Sequence, residues 1–145
     1  MRKVEATISI QSKPETIIAA FVNPSMLEKW WQVERAFIDT EVDGIYALTW
    51  QVTNKGFGYM SVGNIKTYNP NMQIVIDNFT YFNPEKPILG NMTLTVIAKQ
   101  NGGQTVLYLC QEGYQKGPDW DWYYESVKQA WPDVLQTLKA YLEKL

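Results

Sequence analysis

Apolar and polar positions alternate most clearly at the start of the chain. Val4, Ala6, Ile8 and Ile10 share one parity, and Lys3, Glu5, Thr7 and Ser9 the other, which predicts a half-buried strand over 3–11. Ser12-Lys13-Pro14-Glu15 then supplies a helix start. Ser12 is placed to cap and Glu15 to complete a capping box, while Pro14 sits in the first turn, where its missing N–H costs nothing. Ile17, Ile18, Phe21 and Val22 give this helix its apolar face, and Asn23-Pro24 ends it, because a residue before proline disfavours helix. A second short helix is predicted over 25–31, carrying Met26, Leu27, Trp30 and Trp31.

The period then changes to two. Strands are predicted over 33–40, 45–53, 59–68, 73–81, 91–99 and 105–111. The signals between them are Asp43-Gly44, Asn54-Lys55-Gly56, Asn69-Pro70-Asn71, the loop from Asn83 to Pro87, and Asn101-Gly102-Gly103. Gly63, inside its strand, predicts a bend or close packing. Connections this short imply antiparallel pairing. Gly117-Pro118-Asp119 opens a final helix running to about Lys144, with Val127, Trp131, Val134, Leu135, Leu138 and Leu142 as its apolar stripe. Pro132 predicts a kink or short break there. No linker or repeat divides the chain, so the pattern gives one α+β domain over 1–145. Its curved seven-stranded antiparallel sheet and two short helices hold a long C-terminal helix across the concave face, a helix-grip arrangement.

Composition narrows the chemistry. Aromatic residues reach 14%, with 6 Trp and 9 Tyr, which predicts either a bulky core or a cavity walled by flat rings. The net charge of −2 has no basic block behind it, so a nucleic-acid partner is not expected. There is no histidine, which removes the commonest general acid/base and metal ligand. Cys110 is the only cysteine, it sits in an apolar run, and no clustered carboxylates appear, so neither a metal nor another cofactor is expected. The N-terminus lacks the apolar core of a signal peptide, and no run of about 18 apolar residues exists. The expectation is therefore a cytoplasmic protein with no membrane span.

Strand parity proposes the cavity walls. Tyr46 and Trp50 share a face with Leu48 and Val52, and Trp30 and Trp31 either close one end of a cavity or pack in the core. Ile65, Met92, Leu94 and Leu107 are further wall candidates. Gln111 continues the inward parity of Leu107 and Leu109, and Asn78 that of Ile74 and Ile76. Each amide either bonds to neighbouring protein groups or meets a ligand. For Gln111 the expectation is a water-filled cavity in the empty protein. Trp120-Asp121-Trp122-Tyr123-Tyr124 carries four aromatics in five positions, so one helix face cannot bury them all; Tyr123 and, a few turns on, Trp131 are the candidates to face inward. Asp119, Asp121 and Glu125 suit the positive end of the helix dipole better than an acid pair. No catalytic residue is proposed.

Several stretches resemble a known family. Lys13-Pro14-Glu15 through Phe21 matches its first helix. Asn23-Pro24-Ser25-Met26-Leu27-Glu28-Lys29-Trp30-Trp31 is similar to its pattern of a proline, a leucine and a tryptophan pair. Asp43-Gly44-Ile45-Tyr46 resembles its Gly-Gly-x-aromatic, with Asp43 at the first glycine, and Gly63-Asn64-Ile65 followed by Pro70 fits the next strand and turn. Ala130-Trp131-Pro132-Asp133-Val134-Leu135, Leu138 and Tyr141-Leu142 resemble its ending, with Ala130 in place of a glycine. The family is the START-like superfamily (birch-pollen-allergen-like, polyketide-cyclase-like), in the group of the activator of heat-shock protein 90 ATPase. The resemblance implies a cavity between sheet and last helix without choosing an activity. The leading expectation is a binding or carrier domain for an apolar small molecule. The alternatives are a histidine-independent cyclase, dehydratase or hydrolase, and a module that contacts a chaperone. The sequence leaves the oligomeric state open.

Overall fold

The structure, a computed structural model, describes residues 2–145. The elements follow as β1 (Lys3–Ile10), α1 (Pro14–Val22), α2 (Pro24–Trp31), β2 (Arg35–Ile38), β3 (Ile45–Trp50), β4 (Tyr59–Asn69), β5 (Gln73–Phe82), β6 (Leu89–Asn101), β7 (Gln104–Glu112) and α3 (Pro118–Leu142). One seven-stranded sheet has the order β1-β7-β6-β5-β4-β3-β2, antiparallel at every pairing. This is the expected α+β helix-grip architecture. Consecutive hairpins build β2 to β7, and β1 closes the far edge by pairing with β7, Ala6 opposite Leu109. No helix among the described residues is long and apolar enough to cross a membrane.

Local sequence explains most boundaries. Pro14 starts α1 at its first position, and the cap is Lys13, with no side-chain hydrogen bond. Ser12 stands one residue too early to cap: the ring of Pro14 fixes the helical φ where the helix begins, and the Ser12 carbonyl instead accepts from Thr105 Oγ1 at 2.6 Å. Asn23 ends α1 and caps α2, its side chain accepting from the Met26 N–H at 3.1 Å. Gln32, in the left-handed region at φ 59°, turns the chain out of α2. Strand β3 stops at Trp50 rather than Thr53 because Gln51 also turns left-handed, at φ 56°, and Thr53 pairs only with Gly56.

Helix α3 runs unbroken through Pro132, so of the kink or short break expected there the break does not occur. Proline removes the bond to the carbonyl four residues back, that of Lys128. Pro132 and Lys128 both lie on the exposed side, so water can satisfy that carbonyl. The core between sheet and helices includes Ile17, Ile18, Phe21 and Leu27 from the short helices, Ile65, Ile74, Leu94, Val96, Leu107 and Leu109 from the sheet, and Leu135, Leu138 and Leu142 from α3.

Candidate functional site

The inward faces of β3, β4 and β5 and the first half of α3 do not meet. Between them lies a pocket of about 390 Å³. Tyr123, Val127 and Trp131 come from α3 at helical spacing, with Trp122 and Ala130 at the mouth. Trp31 at the end of α2 and Trp50 at the end of β3 form one end. Tyr59 and Ser61 of β4, Phe79 and Tyr81 of β5 and Gln111 of β7 form the floor.

The walls are one connected run of rings. Trp131 lies 5.4 Å from Trp31 between centroids, and Trp31 lies 5.1 Å edge-on from Trp50. Trp50 stacks on Tyr59 at 5.2 Å, Tyr59 meets Tyr81 at 6.4 Å, and Tyr81 stacks on Tyr123 at 4.9 Å. Such pairs contribute about 0.5–1.5 kcal/mol each beyond area burial. Gln111 closes the circuit. Its Oε1 accepts from Trp131 Nε1–H at 2.9 Å, and its Nε2 donates to the Tyr123 hydroxyl at 3.0 Å and to Met92 Sδ at 3.6 Å.

Three neighbouring indole and phenol ends are also engaged. Trp50 Nε1–H donates to the Trp31 carbonyl at 3.0 Å, and Trp30 Nε1–H to that of Ala20 at 2.8 Å. The Tyr46 hydroxyl donates to the Phe21 carbonyl at 2.6 Å. Trp50 and Trp131 therefore present ring faces and edges to the pocket, whose polar side chains are Gln32, Gln111, Ser61, Ser126 and the tyrosine hydroxyls. No Asp, Glu, Lys or Arg lines it. Burial pushes the Tyr123 phenol up despite an opposing hydrogen bond from Gln111, and burial followed by the neighbouring Tyr81 pushes Tyr59 up. Both stay neutral over the ordinary pH range.

Of the wall candidates read from the sequence, Trp31, Trp50, Gln111, Tyr123 and Trp131 line the pocket. Tyr46, Ile65, Met92, Leu94 and Leu107 face inward as expected but are buried in the core beside it. Asn78 is a correction. It lies exposed, in the left-handed region at φ 52°, and donates to Asn64 Oδ1 at 2.7 Å. The pairing of β5 with β6 shifts between Ile76 and Phe79, so the extra residue reverses parity and Phe79 and Tyr81 turn inward instead. Gly63 sits opposite: a Cβ there would lie 2.6 Å from Ile76 Cγ2 and 2.7 Å from the Asp77 carbonyl oxygen. Its bend was the available signal for the reversal. Gln111 is a second correction, since protein groups rather than water hold its amide.

Sequence reasoning did not find Tyr59, Ser61, Phe79, Tyr81 or Val127 as wall residues. For Tyr59 and Ser61 the alternation of β4 carried the face but not which turn of α3 lies above it. The aromatic run opening α3 divides as expected. Tyr123 is buried, Trp122 is 38% exposed, and Trp120 and Tyr124 pack edge-on against Tyr114. Asp121 pairs with Arg2 at 2.8 Å and Asp119 with Lys86 at 3.7 Å, so each acid is tied to a cation and the two do not form an acid pair.

Comparisons with known proteins agree with this fold. The model of the family described as "Activator of Hsp90 ATPase homolog 1-like protein" matches residues 11–143. Among curated proteins, none matches. Similar solved structures include the Aha1 dimer of Colwellia psychrerythraea, at 18% identity and a TM-score of 0.74, covering 99% of this chain and 97% of that one. A protein of Mesorhizobium loti matches at 19% identity and a TM-score of 0.78, with 99% and 98% covered. CalU16 of Micromonospora echinospora matches at 15% identity and a TM-score of 0.70, with 97% and 76% covered. At these identities the structures share the fold.

Proposed function

The chain belongs to the activator of Hsp90 ATPase homolog 1-like family, and from that premise we propose that it binds a small, neutral, largely aromatic or apolar molecule between α3 and the sheet. One observation carries the reading: a pocket of about 390 Å³ walled by aromatic rings, with no charged side chain in the lining. Ligand pockets commonly run from about 300 to 1,000 Å³ and are mostly apolar with a few placed polar groups. Binding or carriage suits this lining better than acid–base chemistry, which would need ionisable groups near neutrality within reach of a substrate. Native mass spectrometry of protein purified without denaturation tests the reading. A retained neutral small molecule, lost in a variant whose pocket is filled, is the expected result. No retained mass, together with no calorimetric binding of neutral bicyclic and tricyclic probes, would overturn it.

A second reading, a chaperone-contacting module, draws on a different surface. Phe37, Val42 and Ile45 are 61%, 68% and 48% exposed near the β2 edge, and Phe37 pairs with Ala47, two residues from Ile45. A heat-shock protein 90 ATPase assay with wild type and Phe37→Asp tests it. Stimulation by wild type that the variant loses is the expected outcome.

A further inference from the structure

The direction of each hydrogen bond around Gln111 fixes what the pocket floor can offer. An indole N–H only donates, so the atom of Gln111 facing Trp131 Nε1 at 2.9 Å must be the amide oxygen. The amide nitrogen is then the atom facing Tyr123, and it only donates, so the phenol oxygen accepts at 3.0 Å. The hydroxyl hydrogen of Tyr123 must point elsewhere, and among the described residues it donates to no protein acceptor. Tyr123 itself lines the pocket and is 6% exposed. The chain Trp131–Gln111–Tyr123 therefore occupies the phenol oxygen as an acceptor and leaves its O–H free to donate into the pocket. We infer that Tyr123 is a specificity-determining hydrogen-bond donor, and that the pocket selects flat neutral molecules carrying a carbonyl-type acceptor over the hydrocarbon of the same shape.

The inference rests on the binding reading above and adds the polarity of the ligand. Burial, which keeps the phenol protonated, keeps the donor available. A buried donor left without an acceptor loses its hydrogen bond with water and gains nothing back, so a hydrocarbon leaves it unpaired while a carbonyl satisfies it. The stacked pair Tyr81–Tyr123 makes the wall beside this donor flat, which favours an acceptor lying in the plane of a fused ring system. Ser61 and Tyr59 bring further hydroxyls to the same floor, so they are the controls.

The test is isothermal titration calorimetry of the whole chain with 9-fluorenone and with fluorene, which differ only in the carbonyl. Wild type is expected to bind fluorenone at least about tenfold more tightly. Tyr123→Phe should bring the two affinities within about twofold of each other, chiefly by tightening fluorene, which no longer buries an unpaired donor. Ser61→Ala and Tyr59→Phe should keep the preference. The wild-type comparison needs no variant to fold. Equal affinities in wild type would overturn the inference and leave the binding reading standing, as would a preference that survives Tyr123→Phe or vanishes in a control. Binding of neither probe would remove both.

Discussion

The two halves of α3 meet the same sheet and do opposite things. Beyond Pro132, Leu135, Leu138 and Leu142 are 2%, 0% and 3% exposed, and they pack into the core with the sheet and the short helices. Before it, Tyr123, Val127 and Trp131 face Trp31, Trp50, Tyr59 and Tyr81 and leave a pocket. Apolar character is common to both, so it does not separate a filled core from a hollow one. Shape does. Branched aliphatic chains interdigitate to crystal-like density, whereas rigid rings that touch edge and face can brace one another around empty space. The polar anchoring differs too. The aliphatic end is tied at the surface, where Lys139 Nζ donates to the Ser9 carbonyl at 2.6 Å and Glu143 accepts from the Gln11 N–H at 2.8 Å. The aromatic end is tied inside, through Gln111.

Removing one large side chain from each half breaks the comparison most severely. Trp131→Ala deletes a ring that touches Trp31 and strands Gln111 Oε1. It is expected to cost about 3–5 kcal/mol in equilibrium denaturation. Leu138→Ala should cost about 2–5 kcal/mol. Only the tryptophan variant should also lose affinity for a neutral tricyclic probe in calorimetry. A loss below about 1 kcal/mol for Trp131→Ala would make that residue peripheral.

Alkali should act on the aromatic half. Burial raises the phenols of Tyr46 and Tyr123 above their ordinary 10.0. Below that value both folded and unfolded chains hold these protons. Above it only the unfolded chain ionises, so stability falls as pH rises. The slope is about 1.4 kcal/mol per pH unit for each tyrosine. Denaturant midpoints between pH 9 and pH 11 measure it, and Tyr46→Phe should reduce the slope.

Gln111→Leu sharpens the contrast at smaller cost. It leaves Trp131 Nε1–H and the Tyr123 hydroxyl without their amide partner, for an expected loss of about 1–3 kcal/mol in the empty protein. A melt unchanged by the substitution would return Gln111 to a hydrated cavity. The smallest effect belongs to the aliphatic end. The Gln11 N–H, followed by Lys139, holds the Glu143 carboxyl below its ordinary 4.5. Its stabilisation is complete above that value and is lost as pH falls through the lower folded value. Glu143→Gln should flatten the acid limb of a Tm-against-pH curve slightly and leave the alkaline limb alone.

These same features mark how far the sequence could be read. Period two along β1 and β3 and the stripe on α3 placed the elements, because burial on one face writes itself directly into local alternation. Trp50, Gln111 and Trp131 followed from those faces as wall residues. Depth did not: Leu107 and Gln111 share a parity, yet one lies in the packed core and the other at the pocket floor, a distinction set by which turn of α3 crosses above. Asn78 shows the sharper failure, since one inserted residue reverses the face of everything after it. The Gln111 bridge needed two partners from the next element, Tyr123 and Trp131 of α3, whose angular position no strand pattern records.

The line of touching indoles has an optical consequence. Trp30, Trp31, Trp50 and Trp131 are linked by centroid separations of 5.2, 5.1 and 5.4 Å, close enough for their excited states to couple. Light absorbed by one can emerge from another, and the near-ultraviolet dichroism of the set will depend on the mutual tilt of all four rings. Because three of them border the pocket, a guest that quenches one should dim the others without touching them. The protein thus carries an intrinsic fluorescent reporter of whether its interior is occupied.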